Sequence, residues 1–205
     1  MNEETVQRGH LGRAGELAWI SIVLTAINMI VFFVQSATGS KMYELGALNF
    51  QRVVLYKEYY RILTCMFLHA GIEHLFSNML MLYYLGEMLE KAIGPRKFLF
   101  LYCISGIGSG VASMLQEILT GQMIFSVGAS GAIYGIIGAM LFLVIVNKGR
   151  YGTITLRRMI LAIFFMLYSG MRDIHVNNAA HIGGLCIGFL TIYVMYVVDT
   201  KSKGR

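Results

Sequence analysis

The chain has 205 residues, 57% of them apolar and only 14% charged, with one proline and a mean hydropathy of +0.64. A soluble domain carries about 25% charged residues, and this composition also excludes a disordered, collagen-like or disulfide-rich secreted chain. The net charge of +6 is scattered between apolar runs and forms no basic face, so no nucleic-acid partner is expected and the lipid bilayer is.

Residues 17–40 carry no charge, and a helix needs about 20 residues to cross roughly 30 Å of hydrocarbon. This is the first expected span. Residues 1–16 hold Glu3, Glu4, Glu16, Arg8 and Arg13 without a small-residue cleavage site, so they read as a short cytoplasmic segment and not as a removable signal. Residues 41–73 regain charge but stay amphipathic, which suits a loop lying partly in the membrane interface. A second span over 74–93 stops at Gly94-Pro95, a pair that ends helices, and 98–116 is the third.

Residues 118–147 contain no charge, too long a run for one helix. The turn-prone Thr120-Gly121-Gln122 divides it into a short loop and a fourth span over 128–146. Spans five and six fall at 155–171 and 178–198, followed by a basic tail at 199–205. The fold class expected is an all-α membrane protein, a six-transmembrane-helix bundle over 17–198 with an amphipathic loop between the first two helices. With the N-terminus inside, twelve of the seventeen Lys and Arg lie on inner segments and five outside. Positive loops stay in the cytoplasm, so both termini are expected there. Cys65, Cys103 and Cys186 cannot all pair, and the last two lie in apolar runs where thiols pack like alanine.

Polar side chains in hydrocarbon are costly, and each calls for a reason. Spans two, four and six all enter from the outer side, carrying His74 and Asn78, Ser130 and Tyr134, and Asn177, Asn178 and His181 near that end. The i, i+4 spacing of His74/Asn78 and of Ser130/Tyr134 puts each pair on one helix face. An isolated serine in a membrane helix ordinarily only hydrogen-bonds a neighbouring helix. Ser130, however, lies in Gly128-Ala129-Ser130-Gly131 at a helix start, where free N–H groups and the dipole favour an anion. The small neighbours Gly128 and Gly131 would let another backbone approach.

His181 by itself would be an ordinary hydrogen-bonded interior histidine. Yet Gly184 and Gly188 give its helix a small-residue edge matching Gly131, Gly135 and Gly138 on the fourth span, and close packing there could set the imidazole beside the Ser130 hydroxyl. A serine next to a neutral histidine is the minimal apparatus for nucleophilic attack. The fourth span has no carboxylate, the sixth none before Asp199, and Asp173 is the nearest before His181. The reading is therefore a Ser-His dyad without an acid, its imidazole held by packing or by a stack on Tyr134, with His74, Asn78 and the Ser130 N–H as oxyanion donors. His69 and His74 miss the one-face spacing of a zinc helix, and no metal or other cofactor is expected.

These residues resemble the rhomboid intramembrane serine proteases. The likeness rests on Gly128-Ala129-Ser130-Gly131, on Ala180-His181 with Gly184 and Gly188, and on His74-Leu75-Phe76-Ser77-Asn78, in that family's order and spans. Tyr59-Tyr60-Arg61 leading to Phe67-Leu68-His69 is similar to the family's aromatic-Arg stretch, with Tyr60 where Trp is common, and Ala179 stands where Gly is frequent. The resemblance implies the basic six-helix bacterial form in a cytoplasmic membrane, with Ser130 as nucleophile and His181 as base. It further implies an oxyanion site of His74, Asn78 and Ser130, a supporting Tyr134, and structural roles for Arg61, His69 and Glu90. Single-pass or multi-pass membrane proteins would be the substrates. The competing class, a non-catalytic binder or small-solute transporter, would favour an internal repeat, and none relates 1–100 to 101–205.

Overall fold

The computed structural model describes residues 17–171 and 176–203. The uncharged first segment forms helix α1 (Trp19–Thr38), ended by Gly39 at φ +64°, a conformation that favours glycine. Two residues are trimmed from each end of the expected span. The amphipathic stretch then folds into short helices α2 (Ser40–Gly46), α3 (Phe50–Val54) and α4 (Arg61–Thr64) and a 3-10 turn over Cys65–Phe67. It buries Leu48 and Val53 while exposing Leu45, Val54, Leu55, Tyr56 and Tyr59, the two-sided character expected of an interfacial segment.

Helix α5 (Ile72–Ile93) ends at Gly94, and α6 (Pro95–Thr120) begins on its proline, which lacks the N–H that a first-turn residue could not use anyway. The observed α6 outruns the expected 98–116. Glu117 sits inside it, buried, its carboxylate accepting from the Phe50 N–H and from Asn49 Nδ2, both at 2.9 Å. A carboxylate so partnered does not end the helix. Helix α7 (Ser130–Val146) starts two residues later than expected, after Gly128 at φ +122°.

A two-residue antiparallel hairpin follows, β1 (Arg150–Tyr151) and β2 (Ile154–Thr155), before α8 (Leu156–Met171). Finally α9 runs Asn178–Lys203, so residues 199–203 of the expected tail are helical, with Lys97 Nζ donating to Asp199 Oδ2 at 2.5 Å. The fold among described residues is all-α apart from the hairpin. Three helices, α1, α6 and α9, are long and apolar enough to cross a membrane, and α7 is a shorter apolar one.

The core is α7, sheathed by α6 and α9. Close approach is paid for in side-chain volume: a Cβ on Gly131 or Gly135 would overlap Ser109 or Ser105 of α6, and one on Gly184 or Gly188 would overlap the carbonyls of Gly131 or Gly135. The serines Ser105, Ser109 and Ser113 form a buried i, i+4 stripe on α6 of the small-xxx-small kind.

At the other end of the bundle Glu90 of α5 is buried and caps α1 from outside it. Its oxygens accept from the N–H of Ile20 at 3.0 Å and from the N–H and Oγ of Ser21, both at 2.8 Å. The first-turn N–H groups of α1 have no carbonyl of their own helix to bond, and a carboxylate there also faces the positive dipole end. Glu90→Ala should lower unfolding stability by about 2–4 kcal/mol, with Glu90→Gln recovering part. Denaturation in mild detergent followed by circular dichroism measures this; equal stability of Glu90→Ala and the parent would refute the cap.

Candidate active site

The turn before α7 is held from two sides. Leu48 and Ser126 exchange backbone hydrogen bonds, 3.0 Å from the Leu48 N–H and 2.9 Å from the Ser126 N–H, and the Gly128 N–H donates to the Cys65 carbonyl at 2.8 Å. The amphipathic segment thus fixes where α7 begins. Ser130 is its first residue, so its N–H has no place in the helical ladder.

The glycine contacts between α7 and α9 bring His181 over this first turn, where its Nε2 lies 3.0 Å from Ser130 Oγ. The Tyr134 ring, one turn along α7, stacks on the imidazole with centroids 4.1 Å apart and planes 9° from parallel. His181 Nδ1 is buried and has no hydrogen-bond partner among the described residues. Asp173 lies outside them. The ring is therefore oriented by its Ser130 contact and by stacking, the arrangement that serine activation by a neighbouring base requires.

His74 and Asn78 of α5 converge on the same turn. A Cβ on Gly128 would stand 2.8 Å from His74 Cε1, 2.9 Å from His74 Nε2 and 3.7 Å from Asn78 Nδ2. Glycine is required there twice, by this crowding and by its positive φ. Asn78 Nδ2 is buried without a partner among the described residues, an unsatisfied donor beside the Ser130 turn, and such a group in a native fold calls for an explanation. The space beside Gly131, by contrast, is filled by Ser109, and the backbone that approaches it is that of Gly184. Gly131 therefore serves helix packing and leaves no opening for a second chain.

Of the other polar residues at this end, Asn177 turns away from Ser130. Its Nδ2 donates to Ser113 Oγ at 2.7 Å and Ser126 Oγ at 3.0 Å, and its Oδ1 accepts from the Ala180 N–H at 2.9 Å, capping α9. Asn178 Nδ2 donates to the Leu167 carbonyl of α8 at 3.0 Å. His69 is fully buried, in edge contact with His74 at 5.2 Å between centroids, and Gln35 of α1 clamps its backbone, accepting from the His69 N–H at 3.1 Å and donating to its carbonyl at 2.6 Å. Arg61 is buried as well, donating to the Glu44 and Ala47 carbonyls at 2.9 and 2.8 Å and to Glu58 at 2.6 Å. Sequence reasoning overlooked Gln35, Glu117 and the α6 serine stripe. Glu117, a lone carboxylate closing an apolar run, was the readable signal, since an ionisable group at such a place needs a partner.

Comparison with known proteins agrees with this architecture. The chain is 38% identical over 156 residues to RHOMBOID-like protein 1 of Arabidopsis thaliana, covering 75% of this chain and 39% of that protein. It is 31% identical over 176 residues to the putative rhomboid protease YdcA of Bacillus subtilis, covering 86% and 81%, and 31% identical over 185 residues to the rhomboid protease GluP of the same organism, covering 88% and 35%. The chain spans about two fifths to a half of the length of the plant relatives it matches. The family model described as the rhomboid domain matches residues 56–197, the stretch from the amphipathic loop through most of α9 that brings His74, Asn78, Ser130 and His181 together. With that match added to the apolar helices, the chain is an integral membrane protein belonging to the rhomboid family.

Proposed function

We propose that this chain is an intramembrane serine endopeptidase that cuts transmembrane segments of membrane-protein substrates. The observation that carries the reading is the 3.0 Å contact between Ser130 Oγ and His181 Nε2, and two Bacillus relatives named as rhomboid proteases support it. Ser130 Oγ attacks the scissile carbonyl carbon as His181 Nε2 takes its proton. The carbonyl oxygen becomes an oxyanion facing the Ser130 N–H, His74 and Asn78 Nδ2. Collapse breaks the C–N bond, and His181 returns the proton to the leaving amine. A water then attacks the Ser130 ester, again deprotonated by His181, releasing the acid and restoring the hydroxyl.

In this scheme Nδ1 keeps its proton, and no carboxylate among the described residues steadies the imidazolium. Six crossings, by α1 and α5 to α9, with both termini cytoplasmic, place the dyad near the outer face, so cleavage releases the non-cytoplasmic part of a substrate. Helix α8 buries only Met159 and Gly170 among its described residues, which favours its side for lateral substrate entry. Reaction with a fluorophosphonate probe tests the reading: the adduct is expected on Ser130, and an unlabelled Ser130 in folded protein would overturn it.

The donors on α5 have their own signature. Loss of His74 or Asn78 to alanine should each lower kcat by about 10² to 10³ with little change in KM. The double variant should retain a rate above the Ser130→Ala background, because the Ser130 N–H remains. Measuring kcat, KM and melting temperature together decides between roles: a melting temperature that falls in step with activity would make these residues structural.

A further inference from the structure

The hairpin between α7 and α8 builds a second polar site at the far end of α7 from Ser130. Arg150, Thr153, Thr155, Arg157, Arg158 and Leu161 line an open groove of about 500 Å³. Two of the guanidinium groups are set by the hairpin itself: Arg150 Nε donates to the Gly152 carbonyl at 3.1 Å, and Arg158 Nη1 to the Thr153 carbonyl at 3.3 Å. The Arg158 N–H also donates to Thr155 Oγ1 at 3.4 Å. No carboxylate pairs with Arg150, Arg157 or Arg158 among the described residues. Three guanidinium groups with free N–H donors and two hydroxyls thus face one groove with no carboxylate of the described residues paired to them, a donor set that matches phosphate oxygens.

What distinguishes a lipid phosphate from a soluble one is the surface next to the groove. Arg157, Leu161, Phe164 and Tyr168 follow one another at i+4, i+3 and i+4 along α8, which is one helix face. Leu161, Phe164 and Tyr168 are 46%, 59% and 50% exposed, and the last two rings stack at 6.1 Å. Eleven residues of helix rise about 16 Å, close to the depth of one hydrocarbon leaflet, half of about 30 Å. An apolar stripe of that length leading away from three arginines fits an acyl chain below its headgroup.

We propose that this groove binds the phosphate of an anionic phospholipid, with a lipid chain lying along the Leu161–Phe164–Tyr168 stripe. The site ties the hairpin end of α8, which buries only Met159 and Gly170 among its described residues, to one leaflet. The test uses the whole protein in phosphatidylcholine vesicles doped with a chain-photoactivatable phosphatidylglycerol, with cross-linked peptides mapped by mass spectrometry. Adducts are expected on α8 between Leu161 and Tyr168. Because each surface arginine near an anionic headgroup contributes about fivefold, replacing Arg150, Arg157 and Arg158 together by glutamine should reduce the yield by about 10²-fold. Arg157→Gln, which removes no hydrogen bond among the described residues, should reduce it about fivefold with an unchanged melting temperature. A photoactivatable phosphatidylcholine labelling the same peptides equally well would overturn the proposal. So would labelling unaffected by Arg157→Gln, or displacement of the lipid by inorganic phosphate where sodium chloride of the same ionic strength has no effect, which would assign the groove to a soluble phosphate.

Discussion

Cleavage of a transmembrane substrate should fall by about 10⁴ or more in Ser130→Ala and equally in His181→Ala, with the double variant no worse than either single one. The equality follows from the geometry. In the proposed mechanism Ser130 Oγ is activated through His181 Nε2, 3.0 Å away, so removing either member removes the same step, and effects within one unit do not add. Neither change should unfold the protein: Ser130→Ala deletes one hydrogen bond, a net contribution of about 1 kcal/mol, and His181→Ala deletes in addition the stack on Tyr134, about 0.5–1.5 kcal/mol more. Tyr134→Phe keeps the ring that stacks on His181 and should retain most activity, whereas Tyr134→Ala should lose much of it. Single-turnover assays in proteoliposomes beside melting curves measure all of these. Appreciable cleavage by Ser130→Ala would remove the protease assignment, and a double variant far below both singles would show that the two residues act separately.

The second large effect is expected at a distance from the chemistry. In Gly188→Val the new Cβ would overlap the backbone of Gly135, and in Gly184→Val that of Gly131. Backbone does not swing aside as a flexible side chain does, so the helices must part, at about 3 kcal/mol or more. Helices α7 and α9 carry Ser130 and His181 respectively, so whatever folded protein remains should lose the dyad contact and the activity with it. Gly121→Ala is the control. It replaces a glycine at positive φ, +68°, that stands in open space, so it should be destabilised by only about 1 kcal/mol and remain active. Stability of the three variants in detergent, set against proteolysis of a model substrate, separates packing from backbone strain. Wild-type stability in Gly188→Val would contradict the close helix approach.

Much of this was legible in the residues because membrane sequences are written under a harsh solvent constraint. Charge-free runs mark helices, glycines spaced by three or four mark close packing, and a polar group in an apolar helix needs a reason. Ser130, His181, His74 and Asn78 stood out on those grounds, and the small edges of the fourth and sixth segments pointed to their meeting. The tertiary structure decided what depends on partners distant in sequence. Glu117 is tolerated within α6 because the Asn49 side chain and Phe50 N–H meet it. Glu90 caps a helix some 70 residues away in sequence, Gln35 clamps the backbone of His69, and Asn177 leaves the serine turn for Ser113 and Ser126. Hydropathy and periodicity describe one segment in an average solvent. A buried hydrogen bond depends on which two segments are brought within about 3 Å, and that is set only when the helices have packed.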